Sequence, residues 1–313
     1  MNILITGGAG FIGSNLADKL VRIGHSVTIL DHLKKPNKIS SIIERVSYVC
    51  CDIRNRKMVE NLLLNNGFEG IIHLAAISRV IWGEQNPNES IDVNVNGTKT
   101  ILEAAQKSNT HPWIIFGSSR EVYGEPEKMP VSEKFPLKPI NIYGKTKLEG
   151  ENLVRLYSYK TGSKGIILRF SNVYGNEKDI LDRVIPKFIL TALKKKEIEI
   201  HGGKQIFDFT YIDDTIEGII RAMNYIKEIE EPSVEDFNIL TGKGTTLQEV
   251  VEIISKSIGF NLNVNYTSPR NYDVEKFTGN LQKAEKILGF RANTLPNKGI
   301  PKTVELYREV FGI

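Results

Sequence analysis

The sequence predicts an α/β protein built on a doubly wound parallel sheet, with a second, smaller α/β domain. Three observations predict it. Short β-branched runs alternate with longer amphipathic stretches, the pattern of parallel strands flanked by helices. A glycine-rich turn, TGGAGFIG, follows the first of those runs directly. Asp31 closes the second run, 18 residues beyond Gly13, as a Rossmann-type dinucleotide fold requires.

Taken in order, strands are expected at 2–6, 26–30, 46–50, 70–74, 113–117 and 164–169, and helices at 11–23, 56–65, 90–107 and 143–161. After Asn172 the pattern changes: strands become fewer, a helix is expected at 212–226, and 237–239 reads as a lone strand. The expected division is a dinucleotide-binding domain over 1–173 and 209–240 and a smaller α/β substrate domain over 174–208 and 241–313. No repeat occurs at any period of 20–50 residues.

Composition narrows the function classes. The 313 residues are 41% hydrophobic and 25% charged, ordinary for a packed globular chain. The 41 basic against 37 acidic residues give a net charge of +4, too slight to argue for a nucleic-acid partner. The first residues run straight into a strand, so no signal peptide is expected, and no apolar stretch is long enough to predict a membrane span. Cys50 and Cys51 are adjacent and offer neither a disulfide framework nor a zinc spacing. The expectation is a cytoplasmic protein with no metal site. The Lys194-Lys195-Lys196 run reads as a solvated helix end.

Between the first strand and first helix, Gly7, Gly8, Gly10 and Gly13 permit a tight turn, close approach of a pyrophosphate, and an anion at the helix N-terminus. An acidic Asp31 would accept hydrogen bonds from the adenosine ribose and repel a 2′-phosphate, which predicts NAD as cofactor. Asp52, after the third strand, reads either as the acceptor of the adenine amino group or as an N-cap of the following helix.

Tyr143 and Lys147 lie four residues apart, on one face of a helix. A phenol is no base at neutral pH, but a neighbouring ammonium and an oxidised nicotinamide favour its phenolate. Ser118-Ser119 close the strand before that helix, where a hydroxyl reaches the same substrate oxygen.

These motifs come with HLAA at 73–76, NVNGTKTILEAA at 94–105, SSREVYG at 118–124, RFSNVYG at 169–175 and DFTYIDD at 208–214. Together they make the chain resemble, nearly end to end, the extended short-chain dehydrogenase/reductases that act on nucleotide sugars, the epimerase/dehydratase group that includes UDP-galactose 4-epimerases. The resemblance implies that Tyr143 removes the proton of the sugar 4-hydroxyl, Ser119 hydrogen-bonds that oxygen, and Lys147 holds the ribose and tunes Tyr143. It implies Phe11, Ile12, Ile53, Leu74, Ala75, Ala76 and Asn94 along the cofactor. Asn172 and Arg270 are implied at the substrate diphosphate. For Asn94 and Asn172 the other reading is a loop or cap hydrogen bond, and for Arg270 a surface ion pair. A homodimer through the 90–107 and 143–161 helices is also implied.

The chain departs from its relatives at several places. Phe207 stands where many carry an arginine for the pyrophosphate, with Lys204 as a candidate replacement. Arg120-Glu121 follows Ser119, where 4,6-dehydratases carry an Asp-Glu pair. Glu121 reads either as a second base or as a support for the loop. Arg120 is a candidate anchor for a substrate carboxylate or phosphate but a poor acid. Phe277 falls where a bulky or small residue decides whether an N-acetyl group fits; ordinary core packing is the other reading. The resemblance therefore implies NAD-dependent epimerisation at carbon 4 of a nucleotide-activated hexose, of UDP-glucose/UDP-galactose type, through a transient 4-ketone. The alternatives are a dehydratase that uses Glu121, a UDP-glucuronate-type decarboxylase, and a non-catalytic NAD-binding protein.

Overall fold

The computed structural model describes residues 1–269 and 274–312. The chain folds as two compact units. The first comprises Met1–Gly124, Pro136–Arg169 and Gly218–Phe237; the second comprises Glu125–Phe135, Phe170–Glu217 and the chain from Asn238 onward.

In chain order the elements of the first stretch are β1 (Asn2–Thr6), α1 (Phe11–Arg22), β2 (Ser26–Asp31), β3 (Ser47–Cys50), α2 (Arg56–Asn65), β4 (Gly70–His73), α3 (Val80–Gln85), α4 (Pro87–Ile91), α5 (Thr98–Lys107), β5 (Trp113–Ser119), α6 (Ile142–Thr161) and β6 (Gly165–Phe170). There follow β7 (Asn172–Tyr174), α7 (Val184–Leu193), β8 (Ile198–His201), β9 (Ile206–Tyr211), α8 (Ile212–Glu228), β10 (Val234–Ile239), β11 (Gly244–Thr246), α9 (Leu247–Ile258), β12 (Val264–Thr267), α10 (Gln282–Leu288) and α11 (Pro296–Phe311). Among the described residues, no helix is long and apolar enough to cross a membrane.

The first unit is organised by a seven-stranded sheet in the order β10-β6-β5-β4-β1-β2-β3. β1 runs parallel to both β2 and β4, β3 to β2, and β5 to β4. The order reverses between β1 and β4, and in such sheets ligands bind beyond the carboxyl ends of the strands at that switch point. β6 is buried along its whole length, and β1 along all but its first residue. That explains the apolar runs at 3–5 and 166–168 within them.

Two expected elements differ. The lone strand at 237–239 is the end of β10, which lies beside β6 at the edge of the sheet. The helix expected from Ser90 begins earlier, at Pro87 in α4, and passes through a π-helical turn, Asp92–Gly97, before continuing as α5. Single π turns inside helices add a residue to one turn and re-aim side chains; this one carries Asn94. A β-carbon on Gly97 would meet Ile53 Cδ1 at 2.5 Å, so the turn seats on Ile53.

The second unit holds more strands than the sequence shows: a three-stranded sheet, β11-β9-β7, and a two-stranded one, β12-β8. All but β9 are only three or four residues long, which leaves little periodic signal. α9 starts with a reciprocal capping box between Thr246 and Glu249. The lysine run lies exposed just past the end of α7.

Asp208, fully buried on β9, anchors the turn after β10. Its carboxylate accepts from Thr241 N (2.9 Å), Thr241 Oγ1 (2.6 Å) and Gly242 N (2.8 Å). Replacing it by alanine leaves these donors without their acceptor. Asp208→Ala is expected to lower unfolding free energy by about 3 kcal/mol, read from urea denaturation; a loss under about 1 kcal/mol would show that the turn holds without the carboxylate.

Candidate active site

The glycine turn forms a cradle shaped by backbone alone. Gly7 has φ +70°, a left-handed conformation that side chains disfavour. A β-carbon on Gly13 would lie 2.3 Å from Gly7 O and 2.7 Å from Gly8 Cα. α1 therefore packs directly on its own approach loop. Gly10 caps α1 with no side-chain hydrogen bond, which leaves the first-turn amides available to an anion. Asp31, at the end of β2, braces this cradle: its Oδ2 accepts from Ala9 N (3.0 Å) and its Oδ1 from Leu33 N (3.2 Å).

Asp52 does not cap α2. Asn55 does, accepting from Met58 N at 3.2 Å. The Asp52 carboxylate is instead gripped by Arg54 through N (2.8 Å), Nε (3.0 Å) and Nη2 (2.7 Å), and those hydrogen bonds hold it below the usual carboxylate range. The Ile53 side chain is part of the hydrophobic core. Leu74, Ala75 and Ala76, beyond β4, are half-buried. A β-carbon on Gly7 would lie 2.7 Å from Ala75 Cα, so this loop and the glycine turn adjoin.

Asn94 is committed to the protein. Its Oδ1 accepts from Ile77 N (2.7 Å), and its Nδ2 donates to Ile77 O (3.0 Å) and Thr146 Oγ1 (3.0 Å). It thereby fastens the loop after β4 to α6. Beneath it runs a directional chain of hydrogen bonds. Ala75 N donates to Thr6 Oγ1 (3.3 Å), Thr6 Oγ1 lies 2.6 Å from His73 Nδ1, His73 Nε2 lies 2.8 Å from Thr98 Oγ1, and Thr98 Oγ1 donates to Asn94 O (2.6 Å). With Thr98 spending its proton on Asn94, His73 must donate from Nε2, which in the neutral imidazole leaves Nδ1 to accept from Thr6. Burial and then the Lys147 charge drive His73 to about 3, in agreement with that tautomer.

Ser119 ends β5 and caps the short 3-10 turn Arg120–Tyr123, its Oγ accepting from Glu121 N at 3.2 Å. Tyr143 sits in the first turn of α6 and Lys147 one turn later. Lys147 Nζ donates to Gly117 O at 2.8 Å and lies 5.9 Å from the Tyr143 ring centre. The structure thus gathers Ser119, Tyr143 and Lys147 at the carboxyl end of β5. Burial pulls Lys147 down to about 8, against the opposing Glu151 charge.

Glu121 lies in the same place but is not free. Its Oε1 pairs with Arg120 Nη2 at 2.8 Å, with both side chains only 8% exposed, and its Oε2 accepts from Asn141 Nδ2 at 2.7 Å. Asn141 caps α6, its Oδ1 accepting from Gly144 N at 2.8 Å. A β-carbon on Gly144 would lie 2.5 Å from Glu121 O, so α6 and the serine turn touch through backbone. Sequence reasoning missed Asn141, although an asparagine just before a helix is a start signal. It also missed Glu151, which accepts from Ser118 Oγ (2.6 Å) and from Arg169 Nε (2.9 Å) and Nη2 (2.7 Å).

Residues 3–239 match the family model for the NAD dependent epimerase/dehydratase family. The chain belongs to that family. It is 37% identical over 305 residues to a putative UDP-glucose 4-epimerase of Methanocaldococcus jannaschii, covering 96% of this chain and 97% of that one. Among solved structures, a UDP-glucose 4-epimerase of Thermotoga maritima with UDP-glucose aligns with TM-score 0.92 and 31% identity over 99% of this chain and 100% of that one. A UDP-glucuronic acid 4-epimerase of Bacillus cereus, in complex with UDP-glucuronic acid and NAD, aligns with TM-score 0.88 and 28% identity, again over 99% and 100%.

NAD is the cofactor of this epimerase/dehydratase. The cradle fits it, since a β-carbon would fill the space that Gly7 and Gly13 leave open. In the second unit, Asn172 opens β7 with its Nδ2 buried and without a hydrogen-bond partner among the described residues. Lys204 is exposed. Phe207 packs edge-on against Phe209, with ring centres 6.0 Å apart. Phe277 is 0% exposed and donates its backbone N–H to Ile206 O at 2.8 Å, which is the packing of a core residue. Arg270 lies outside the described residues. Gly13→Ala is expected to weaken NAD binding about tenfold or more, measured by calorimetry; unchanged affinity would show that α1 can retreat from the turn without harm.

Proposed function

We propose that this chain is an NAD-dependent 4-epimerase of a UDP-linked hexose and that Ser119, Tyr143 and Lys147 carry the reaction. The supporting observation is the buried Lys147 ammonium fixed on Gly117 O beside the Tyr143 ring, at the end of the strand that presents Ser119. NAD, when bound, supplies the reversible two-electron oxidation of the carbinol carbon. Gly7, Gly10 and Gly13 would hold its pyrophosphate and Asp31 its adenosine ribose.

Tyr143 takes the proton of the 4-hydroxyl and returns it to the opposite epimer once the ketone has turned. The Lys147 ammonium favours the phenolate that this requires. Ser119 Oγ accepts from Glu121 N, which leaves its own O–H to donate to the sugar oxygen. Both Glu121 oxygens are engaged, by Arg120 and Asn141, an arrangement that favours epimerisation over elimination. Asn172, Lys204 and Arg270 are assigned to the nucleotide diphosphate. Exposed Leu156 and Tyr159 on α6, the latter 88% exposed, support a homodimer through that helix. Two unbridged cysteines suit a reducing cytoplasm.

The purified protein, incubated with UDP-, dTDP-, GDP- and CDP-hexoses, is expected to give a product of unchanged mass inverted at carbon 4, read by mass and proton NMR. Loss of water from the product would replace this reading with a dehydratase. Tyr143→Phe is expected to lose at least about 10²-fold in turnover and keep NAD; unaltered turnover would remove Tyr143 from the mechanism. Because burial pulls Lys147 down from its ordinary 10.5 to about 8, its charge is expected below that pH and lost above it. The kcat/KM profile should therefore fall as pH rises through about 8, and a plateau to pH 10 would contradict the role of the ammonium.

A further inference from the structure

We propose that Glu121 and Asn141 form a clamp that fixes the serine turn against the start of α6, so that Glu121 is a positioning residue for Ser119 and Tyr143. The inference rests on the reading of those two as the proton-handling pair.

Glu121 faces the site's components on every side. Its N–H binds Ser119 Oγ, its carbonyl sits where a Gly144 β-carbon would collide, and its carboxylate spans Arg120 and Asn141. Asn141 is 1% exposed, and its amide orientation is forced. Gly144 N can only donate, so Oδ1 must face the helix, and the Glu121 carboxylate can only accept, so Nδ2 must face Glu121. Tyr143 lies between Asn141 and Gly144 in sequence. Any slip of the clamp is therefore a slip of the phenol relative to Ser119. The guanidinium engages one carboxylate oxygen and the amide the other, so the carboxylate is spent on holding the turn.

The polarity of the pair supplies the test. Asn141→Asp keeps a good helix cap but sets one carboxylate against another. Glu121→Gln alone keeps size and one acceptor. The double variant Glu121→Gln/Asn141→Asp restores a donor-acceptor pair with its direction reversed. Asn141→Asp is expected to lower kcat about 10- to 100-fold, with KM and NAD retention within about twofold of the parent. The double variant should recover to within about threefold.

A double variant no better than Asn141→Asp would overturn the clamp, as would Glu121→Gln that is as inactive as Tyr143→Phe and is not rescued by the second change. Hydrogen exchange of the 119–123 amides needs no substrate and separates this inference from the proposed function. It should quicken about tenfold in Asn141→Asp and return in the double variant. Exchange that is the same in all three proteins would defeat the clamp even if the parent epimerises, whereas the expected exchange pattern would uphold it even if every tested sugar is refused.

Discussion

The carboxylate of Glu151, 0% exposed, is the junction on which the first unit's chemistry depends. It binds Ser118 at the end of β5 and Arg169 on β6, while Arg169 reaches Tyr123 Oη (2.9 Å) and Asp236 on β10 (2.9 Å). One buried ion network thus joins three strands, α6 and the serine turn. Such networks contribute little net stability relative to apolar packing, but they tolerate only one arrangement. Glu151 also lies one turn after Lys147 and opposes the desolvation that lowers its pKa. The charge that organises the fold is therefore also the charge that keeps the neighbouring ammonium protonated near neutrality.

Sheet topology puts these groups where they can act together. Because β1, β4 and β5 run parallel, the glycine turn, the half-buried 74–76 loop and Ser119 all leave from carboxyl ends. Asn94, in the π turn, is bonded to Ile77 and to Thr146 on α6, and the neutral His73 ties Thr6 on β1 to Thr98 on α5 beneath it. A charged imidazole there would face a buried ammonium. The hydroxyls on either side of His73 give the ring a donor and an acceptor without requiring that charge.

The strands and helices around the first unit's site were legible in the sequence because they are regular: an apolar run buried on both faces, or an amphipathic helix with a clear start. The glycine turn, Asp31, Ser119, Tyr143 and Lys147 were legible because each has a local spacing. What sequence could not show is partnership across distance. Whether Asp52 caps a helix depends on Arg54 turning back to it, and whether Glu121 is a free base depends on an asparagine 20 residues later. The π turn leaves no residue signature. The short strands of the second unit carry too few positions for a period to emerge.

The same partnerships hold the site's side chains in place. Asp31 is held by two backbone amides, Lys147 by a carbonyl, Glu121 by an arginine and an asparagine, and Asn94 by a loop and a helix. A group already fixed in place loses little entropy when substrate binds, so more of the binding free energy remains for the transition state. Ser119 differs, since its oxygen accepts a backbone hydrogen bond while its proton can still be directed elsewhere. In the proposed epimerisation that proton is the one aimed at the sugar oxygen, while the surrounding charges stay tied to the protein.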